Sequence, residues 1–211
     1  MNPYDEVAAE LLRVDDGIRK ALGAPEDVTS EWFTERWVGS GTYARAYRVK
    51  WEGADAAFKL TLDVDECDIS EKTTEEDHPI RGLVYVYMAG WLDFEDIIEG
   101  EEMDIRSPNC VVITEWADTV LTGWRADAMA ACMYALDRLD WWEDHADHWE
   151  GLTQNLTKEQ REIAYTWLTD LREGLMWIGD VPIPDTNEGN AGIVLRKGRE
   201  MAVWVDFGQW G

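Results

Sequence analysis

Three polar residues near the end of the chain have the types and the spacing of a site that handles phosphate groups and metal ions. Asp185 and Asn190 form an Asp-x-x-x-x-Asn unit, and Asp206 follows sixteen residues after Asn190, at the end of an apolar run. Phosphoryl transfer needs one carboxylate to orient the attacking hydroxyl group. It also needs an amide and a second carboxylate to hold the magnesium ions that neutralise a triphosphate. Asp185, Asn190 and Asp206 fit these roles.

A glycine-containing turn and a lysine lie upstream, in the order that such a site would need. Gly39, Ser40 and Gly41 predict a turn between two strands, and Lys59 ends the segment Ala-Ala-Phe-Lys on the strand that follows them. Two glycines let backbone N–H groups approach phosphate oxygens, and a lysine on the third strand can reach the α and β phosphates. Each motif alone is more often a plain hairpin or a solvated lysine. Together and in this order, the motifs favour phosphoryl transfer.

With these motifs in place, residues 32–211 resemble the protein kinase-like superfamily. They are most similar to its small, divergent branch, the early serine/threonine kinases of short-tailed phages. The similar segments are the glycine loop at 39–47 and the Asp-x-x-x-Gly-Asn unit at 185–190. Ile183-Pro184 stands where ordinary protein kinases have His-Arg, and Ala44 stands at the third glycine of the loop.

This resemblance implies a set of roles for four residues. Lys59 would bind the phosphates, Asp185 would be the catalytic base, and Asn190 and Asp206 would hold Mg²⁺. The implied activity is ATP- and Mg²⁺-dependent transfer of a phosphoryl group to serine or threonine of a protein. By the same resemblance, host proteins would be the substrates or binding partners.

The run Cys-Val-Val-Ile at 110–113 is similar to the strand that leads into the hinge of this superfamily. The resemblance implies that backbone groups of Glu115 and Ala117 meet adenine, whereas the plain interpretation of the strand is ordinary core. The glutamate that should pair with Lys59 is left open. Its candidates are three glutamates of one acidic stretch: Glu71, Glu75 and Glu76. The apolar run at 82–88 could itself be the helix in question, and it has no glutamate.

The predicted fold class is α+β, with the two lobes of a minimal kinase-like fold in one domain, 1–211. An N-terminal helical extension covers 1–31, an N-lobe with an antiparallel sheet covers 32–117, and a mainly helical, truncated C-lobe covers 118–211. The C-lobe is expected to be truncated because only residues 207–211 follow Asp206. Strands are predicted near 33–38, 43–51, 55–62, 97–104 and 110–116. The acidic stretch at 63–77 is predicted to be a loop or an exposed helix.

Helices are predicted from apolar spacing and from capping signals. One amphipathic helix is expected over 4–22 with Gly23 at its end, and another over 125–142. Thr157 to Gln160 has the pattern of a capping box that opens a third helix. A hairpin around residues 197–199 would place Asn190 before its first strand and Asp206 after its second.

Charge limits the partners that the chain can bind. It has 44 acidic and 19 basic residues, for a formal net charge of −25. This charge argues against nucleic acid as a direct partner. A solvated surface is the favoured interpretation, and the alternatives are an acidic docking face for a basic partner and a nucleic-acid mimic. A triphosphate would be repelled unless magnesium came with it, so nucleotide binding should depend steeply on Mg²⁺.

The remaining signals concern location and other sites. No apolar run approaches the ~20 residues that span a membrane, and no secretion signal is evident, so we expect a cytoplasmic protein without membrane insertion. Cys67, Cys110 and Cys132 show no paired spacing and are predicted to be reduced core thiols. His145 and His148 lie among carboxylates and could ligate a metal, although a polar helix end or loop is the favoured interpretation because it needs no metal.

Two other functions fit parts of the pattern. A catalytically weak or inactive kinase-like protein could bind and inhibit a basic host partner through its acidic surface. A small-molecule phosphotransferase of the aminoglycoside or choline kinase type would also have an Asp-x-x-x-x-Asn unit followed by an aspartate at a strand end. The sequence does not predict the oligomeric state.

Overall fold

The chain folds into an antiparallel sheet followed by helices and a second, smaller sheet, so the predicted α+β class is confirmed. The structure is a computed structural model that describes residues 2–40, 44–92, 108–137, 146–179 and 188–206. The chain divides into two compact units. The first has Met1–Asp77 and Tyr85–Trp116, and the second has His78–Val84 and Ala117–Gly211.

A five-stranded antiparallel sheet is the centre of the first unit. Its strands are β1 Trp37–Ser40, β2 Ala44–Trp51, β3 Ala54–Thr61, β4 Val86–Trp91 and β5 Cys110–Glu115. They lie in the order β1-β2-β3-β5-β4, so β5 inserts between β3 and β4. Glu52 and Gly53 both have positive φ, which is the backbone twist that a two-residue hairpin between β2 and β3 requires. The strands predicted near 43–51, 55–62 and 110–116 are confirmed. The strand predicted at 97–104 lies outside the described residues.

Three helices precede the sheet: α1 Pro3–Val14, α2 Asp16–Ala21 and α3 Ser30–Thr34. The prediction of one helix over 4–22 was wrong, because Asp15 breaks it. Asp15 has extended backbone angles, and its carboxylate accepts a hydrogen bond from the Ile18 N–H at 2.9 Å, which caps α2. The strand predicted near 33–38 begins only at Trp37, since the residues before it belong to α3 or to the turn that follows it.

The core of the first unit lies between these helices and one face of the sheet. Leu12 of α1, Phe33 of α3, Tyr47 of β2 and Phe58 of β3 are all fully buried there. The ring of Phe33 lies 4.9 Å from that of Tyr47 and 5.3 Å from that of Phe58. Because side chains alternate along a strand, Lys59 points to the opposite face from Phe58.

The acidic stretch contains helix α4, Val64–Thr74, which begins three residues after β3 ends. The Asp63 carboxylate accepts hydrogen bonds from the N–H groups of Asp65 and Glu66, at 3.0 and 3.2 Å, and so caps the helix. The alternative helix at 82–88 is wrong. This run leads into β4, where Val86 and Met88 pair with β5.

Two cysteines contradict the prediction of reduced thiols. Cys67 on α4 and Cys110 at the start of β5 form a disulfide with a Cα–Cα distance of 6.0 Å, and both are fully buried. The sheet register explains the contact. Cys110 lies opposite Thr61, the last residue of β3, and α4 starts just beyond that residue. Cys132 is a free, buried cysteine, as predicted.

The second unit is built around a pair of packed helices and a hairpin. Its elements are α5 Trp124–Leu136, α6 Ala146–Leu152, α7 Lys158–Ile178, a 3₁₀ turn Glu188–Asn190, β6 Ala191–Arg196 and β7 Arg199–Trp204. The predicted capping box at α7 is confirmed, with hydrogen bonds in both directions between Thr157 and Gln160. The predicted hairpin is confirmed, with Lys197 and Gly198 at positive φ in its turn. The helix predicted over 125–142 is confirmed up to Leu136, and residues 138–142 lie outside the described residues.

A buried carboxylate holds the segment before β4 on this unit. Asp170 of α7 is fully buried and accepts a hydrogen bond from Arg81 Nε at 2.6 Å. Burial raises the pKa of Asp170, although Arg81 opposes this shift. Arg196 of β6 donates to the carbonyls of Ile80 and Leu83. The segment at 78–84 is therefore joined both to α7 and to the hairpin.

Backbone contact at Gly82 leaves no room for a side chain. Gly82 has φ +80°, and a Cβ there would lie 1.8 Å from the Asp170 carbonyl oxygen. We expect Gly82→Ala to lower the free energy of unfolding by about 3 kcal/mol, since it adds both a backbone clash and a strained φ. Gly23→Ala is the matched control. Its φ is +62° but a Cβ would meet no atom within 4 Å, so only about 1 kcal/mol of strain is expected. Urea unfolding of the two variants measures the difference, and equal losses would contradict the close contact.

Candidate functional site

Lys59 forms a buried ion pair with a glutamate that the sequence analysis did not single out. Its Nζ atom lies 2.5 Å from Oε1 of Glu66. The side chains of Lys59 and Glu66 are 14% and 3% exposed. Lys59 is on β3, and Glu66 is in the first turn of α4. The pair therefore fixes the lysine to the helix that follows its own strand.

The glutamate that pairs with Lys59 is none of the three candidates from the sequence. Glu71 lies farther along α4 and accepts a hydrogen bond from Trp91 Nε1 at 3.3 Å. Glu75 and Glu76 are exposed at and beyond the end of the helix. The helix begins so soon after β3 that its first turn, and not its middle, comes next to the lysine.

A sequence signal for Glu66 does exist. Asp63 and Glu66 have the spacing of an N-cap residue and a glutamate three positions later, directly after a strand. With a helix start at Val64, Glu66 shares a face with Ile69, Ser70 and Thr73, at intervals of three, four and seven residues. All four are buried. The many charged residues at 63–77 favoured the prediction of a loop or an exposed helix, so the buried face of α4 was not recognised from the sequence.

Gly39 of the predicted phosphate loop lies in the same row of the sheet as Lys59, and Ser40 lies in the next row. Gly39 pairs with Ala46 and Ser40 pairs with Arg45, so β1 and β2 are paired as far as Ser40 and Arg45. Ala46 in turn pairs with Lys59. Gly39, Ala46 and Lys59 thus form one row across three strands. Gly41 lies outside the described residues.

Two alanines and a threonine lie near Lys59 on its face of the sheet. Ala57 lies two positions before Lys59 on β3 and shares its face, and Ala46 is its direct neighbour on β2. Thr114 of β5 lies opposite Ala57. Val112 of β5 lies directly opposite Lys59, and Arg48 of β2 lies opposite Ala57, so this face also carries larger side chains.

Glu115 is held in place at the end of β5. Its backbone N–H donates to the Tyr85 carbonyl and its Oε1 accepts from the Tyr85 N–H, each at 2.8 Å. The Trp116 N–H donates to the carbonyl of Asp55 at 3.2 Å. These bonds fix the backbone of Glu115. Its predicted contact with adenine stays a prediction.

Ala117 is the first residue after β5 that belongs to the second unit. It is buried, and a Cβ placed on Gly192 would lie 3.0 Å from the Cβ of Ala117. The next residue, Asp118, exchanges two backbone hydrogen bonds of 2.9 Å with Ile193 of β6. The chain after β5 is therefore fixed to the hairpin. The predicted contact of Ala117 with adenine is also untested.

Asn190 and Asp206 lie at the open end of the hairpin of β6 and β7. The Val205 N–H donates to the Asn190 carbonyl at 2.9 Å, and Ala191 pairs with Trp204. Asn190 is 8% exposed, and Asp206 is half-buried. A carboxylate and an amide oxygen are ligand types that suit Mg²⁺, which usually keeps waters or phosphate oxygens as its other ligands. The metal role of both residues stays a prediction. Asp185 lies outside the described residues.

The histidine alternative gains no support. His148 is exposed on α6, and His145 lies outside the described residues. Within the part of the chain that the structure describes, no group of three or more His, Cys, Asp or Glu side chains could hold a metal ion. Among the same residues, no helix is both long and apolar enough to cross a membrane.

Comparisons with known proteins add little to this geometry. No family model matches the chain, and no curated protein matches it. Solved structures do match, and one of them is a thermostable mutant of an aminoglycoside phosphotransferase in a ternary complex with ADP and hygromycin B. It is 12% identical, the match covers 92% of this chain and 70% of that chain, and the TM-score is 0.34. A likeness of this strength carries no argument about the chemistry of this chain.

Proposed function

We propose that this protein transfers the γ-phosphoryl group of ATP to a hydroxyl group with the help of Mg²⁺. The observation that carries the proposal is the buried pair of Lys59 and Glu66 in the row of the predicted phosphate loop. A buried ion pair contributes little stability relative to apolar residues of similar size, because both charges lose their water. A lysine held by a carboxylate beside a glycine turn is, in contrast, what binding of a triphosphate requires.

Glu66 and each of the four residues that the sequence predicts for the site have one task in this proposal. Lys59 Nζ donates hydrogen bonds to phosphate oxygens, and Glu66 keeps the ammonium group in place. Asn190 and Asp206 are the residues that would hold Mg²⁺, which neutralises charge on the triphosphate. Asp185 accepts the proton of the attacking hydroxyl as its oxygen bonds to the γ-phosphorus. The bond from that phosphorus to the β,γ-bridging oxygen breaks at the same time, and ADP leaves.

We further propose that the acceptor is a serine or threonine of a protein. The resemblance to small phage kinases supports this choice and points to proteins of a host cell as substrates. The net charge of −25 favours acceptors with basic surfaces, since these would be attracted to the protein.

The test is transfer of label from γ-labelled ATP with Mg²⁺, in a bacterial lysate whose own kinases have been heat-inactivated. Wild type and Asp185→Ala are compared, and the products are separated into protein and small molecules. Label on protein with the wild type alone supports the proposal. Label on a small alcohol would favour a small-molecule phosphotransferase. An absence of label together with an absence of ATP–Mg²⁺ binding would favour the acidic binding protein.

Two variants separate metal binding from proton transfer. Asp206→Ala should weaken ATP binding in the presence of Mg²⁺ at least about tenfold, because a carboxylate ligand of the metal is lost. Asp185→Ala should keep that affinity within about threefold and lose transfer, because a catalytic base acts only on the hydroxyl. Calorimetric titration of ATP with and without Mg²⁺ measures both. If Asp206→Ala kept the full Mg²⁺ dependence, Asp206 would not be a metal ligand.

A further inference from the structure

A buried carboxylate on the first helix has four hydrogen-bond donors around it. Asp5 of α1 is 2% exposed. Its Oδ1 accepts from Arg45 Nε at 2.8 Å and from the Tyr47 hydroxyl at 2.7 Å. Its Oδ2 accepts from Arg45 Nη2 at 3.2 Å and from the Thr34 hydroxyl at 2.9 Å. Both oxygens are thus fully used, and α1 is bound to β2 and to the end of α3.

Arg45, the charged partner of Asp5, lies on β2 next to the glycine turn and contacts the strand on the other side of that turn. Arg45 lies directly opposite Ser40 of β1, and the next residue, Ala46, lies opposite Gly39. The Arg45 guanidinium also lies 5.1 Å from the centre of the Trp37 ring on β1. One guanidinium therefore contacts side chains of both strands that carry the turn, and Asp5 fixes that guanidinium.

The charge of Asp5 matters because the side chains around it are shielded from water. The Arg45 side chain is 12% exposed and Tyr47 is fully buried. Burial raises the pKa of Tyr47, and its hydrogen bond to Asp5 raises it further, so this hydroxyl is a permanent donor. Without the carboxylate, Arg45 would lose its counter-charge at a place that water hardly reaches. It would have to turn outward and would then no longer lie on the Trp37 ring.

We infer that Asp5 is a positioning residue for the triphosphate, which it affects through Arg45 and the two strands of the glycine turn. The inference rests on the proposed function. Backbone N–H groups of a phosphate loop bind well only if the strands before and after the loop hold them in one geometry. The helical extension at 1–31 would then be part of the nucleotide site's support, in addition to covering the core.

The test compares three substitutions in steady-state kinetics with ATP. Asp5→Asn keeps the shape of the side chain but removes the charge, and we expect KM for ATP to rise about tenfold with kcat within about twofold. Asp16→Asn is the same chemical change on an exposed residue of α2, where the carboxylate pairs with Arg19 and Lys20, and it should leave both constants within about twofold. Val7→Ala removes a buried side chain of α1 that has no part in the Asp5 network, and so reports on destabilisation alone.

Arg45→Lys tests the same inference from the other side of the ion pair, and it can be used if Asp5→Asn does not fold. Arg45→Lys retains the positive charge but cannot reach both carboxylate oxygens with a planar fork, so a rise of KM by about threefold is expected. If Asp5→Asn and Arg45→Lys shift KM no more than Val7→Ala does at a similar loss of Tm, Asp5 is merely structural and the inference is overturned.

Hydrogen exchange separates this inference from the proposed function, because it needs no nucleotide. Asp5→Asn should speed exchange of the amides at 37–40 and 44–47 about tenfold relative to Val7→Ala. A wild type that fails to bind ATP–Mg²⁺ would refute the proposed function, and with it the role of Asp5 toward phosphate. A wild type that binds ATP, with equal exchange in Asp5→Asn and Val7→Ala, would refute the inference alone.

Discussion

Replacing Glu66 by alanine is expected to lower the rate of phosphoryl transfer at least about 100-fold. Glu66 Oε1 lies 2.5 Å from Lys59 Nζ, and its side chain is 3% exposed. Without this carboxylate the lysine would lose the contact that orients it, and its ammonium group could turn to solvent or to other acids of the chain. In kinases the lysine and its glutamate must both be in place for transfer. Single-turnover transfer from γ-labelled ATP is the measurement.

The matched control is Glu71→Ala on the same helix. It is the same chemical change at a residue that contacts Trp91 and not Lys59, so the rate should stay within about twofold. A large loss with Glu71→Ala and none with Glu66→Ala would mean that α4 presents a different face to the lysine.

A double-mutant cycle shows whether Lys59 and Glu66 act as a unit. Lys59→Met alone should lose at least as much activity as Glu66→Ala, because in the proposed function the lysine is the group that contacts phosphate. If Glu66 acts only through Lys59, the double variant should be no slower than Lys59→Met. Losses that simply add would show that Glu66 has a separate role.

Removing the disulfide is expected to cost about 4 kcal/mol of unfolding free energy. Cys67 and Cys110 are 43 residues apart in sequence, and a bond that closes a loop of this length restricts the unfolded chain by about that amount. The double variant Cys67→Ala/Cys110→Ala is compared with wild type by urea unfolding without reductant. Addition of a reductant should destabilise the wild type to a similar extent and leave the double variant unchanged.

Thiol titration of the denatured protein is an independent test of the Cys67–Cys110 disulfide. Of the three cysteines, only Cys132 should react in the absence of reductant. Three reactive thiols would contradict the bond and would restore the prediction from sequence. Because Cys67 directly follows Glu66, the double variant should also show slower phosphoryl transfer than wild type at a temperature where both are folded.

The elements with strong local signals were predictable from the sequence. The alternating pattern that places Lys59 on a strand, the turn at Glu52 and Gly53, and the capping box at Thr157 each depend on residues within a few positions. The hairpin that brings Asn190 and Asp206 to one end is local in the same sense. These features determine most of the β1–β3 meander and of the second unit's helix and hairpin.

Features that depend on distant residues were not predictable. The Cys67–Cys110 bond exists because β5 pairs with β3 and so brings Cys110 next to the first turn of α4. Nothing near either cysteine encodes that pairing. Glu66 is an intermediate case, since its capping signal with Asp63 is local but its contact with Lys59 depends on where α4 packs. The break at Asp15 was missed because the apolar spacing continues through it, whereas the aspartate side chain competes for the backbone.

The strand order has a consequence for the protein while it is being synthesised. β3 ends at Thr61, but the strand that pairs with its second edge, β5, ends only at Glu115. At ribosomal speeds of about 5–20 residues per second, that edge stays unpaired for roughly 3–10 s after β3 has emerged. An unpaired edge in a nascent chain is open to pairing with another chain. The yield of folded protein should therefore depend on the rate of translation between these two strands and on the chaperones at the exit tunnel.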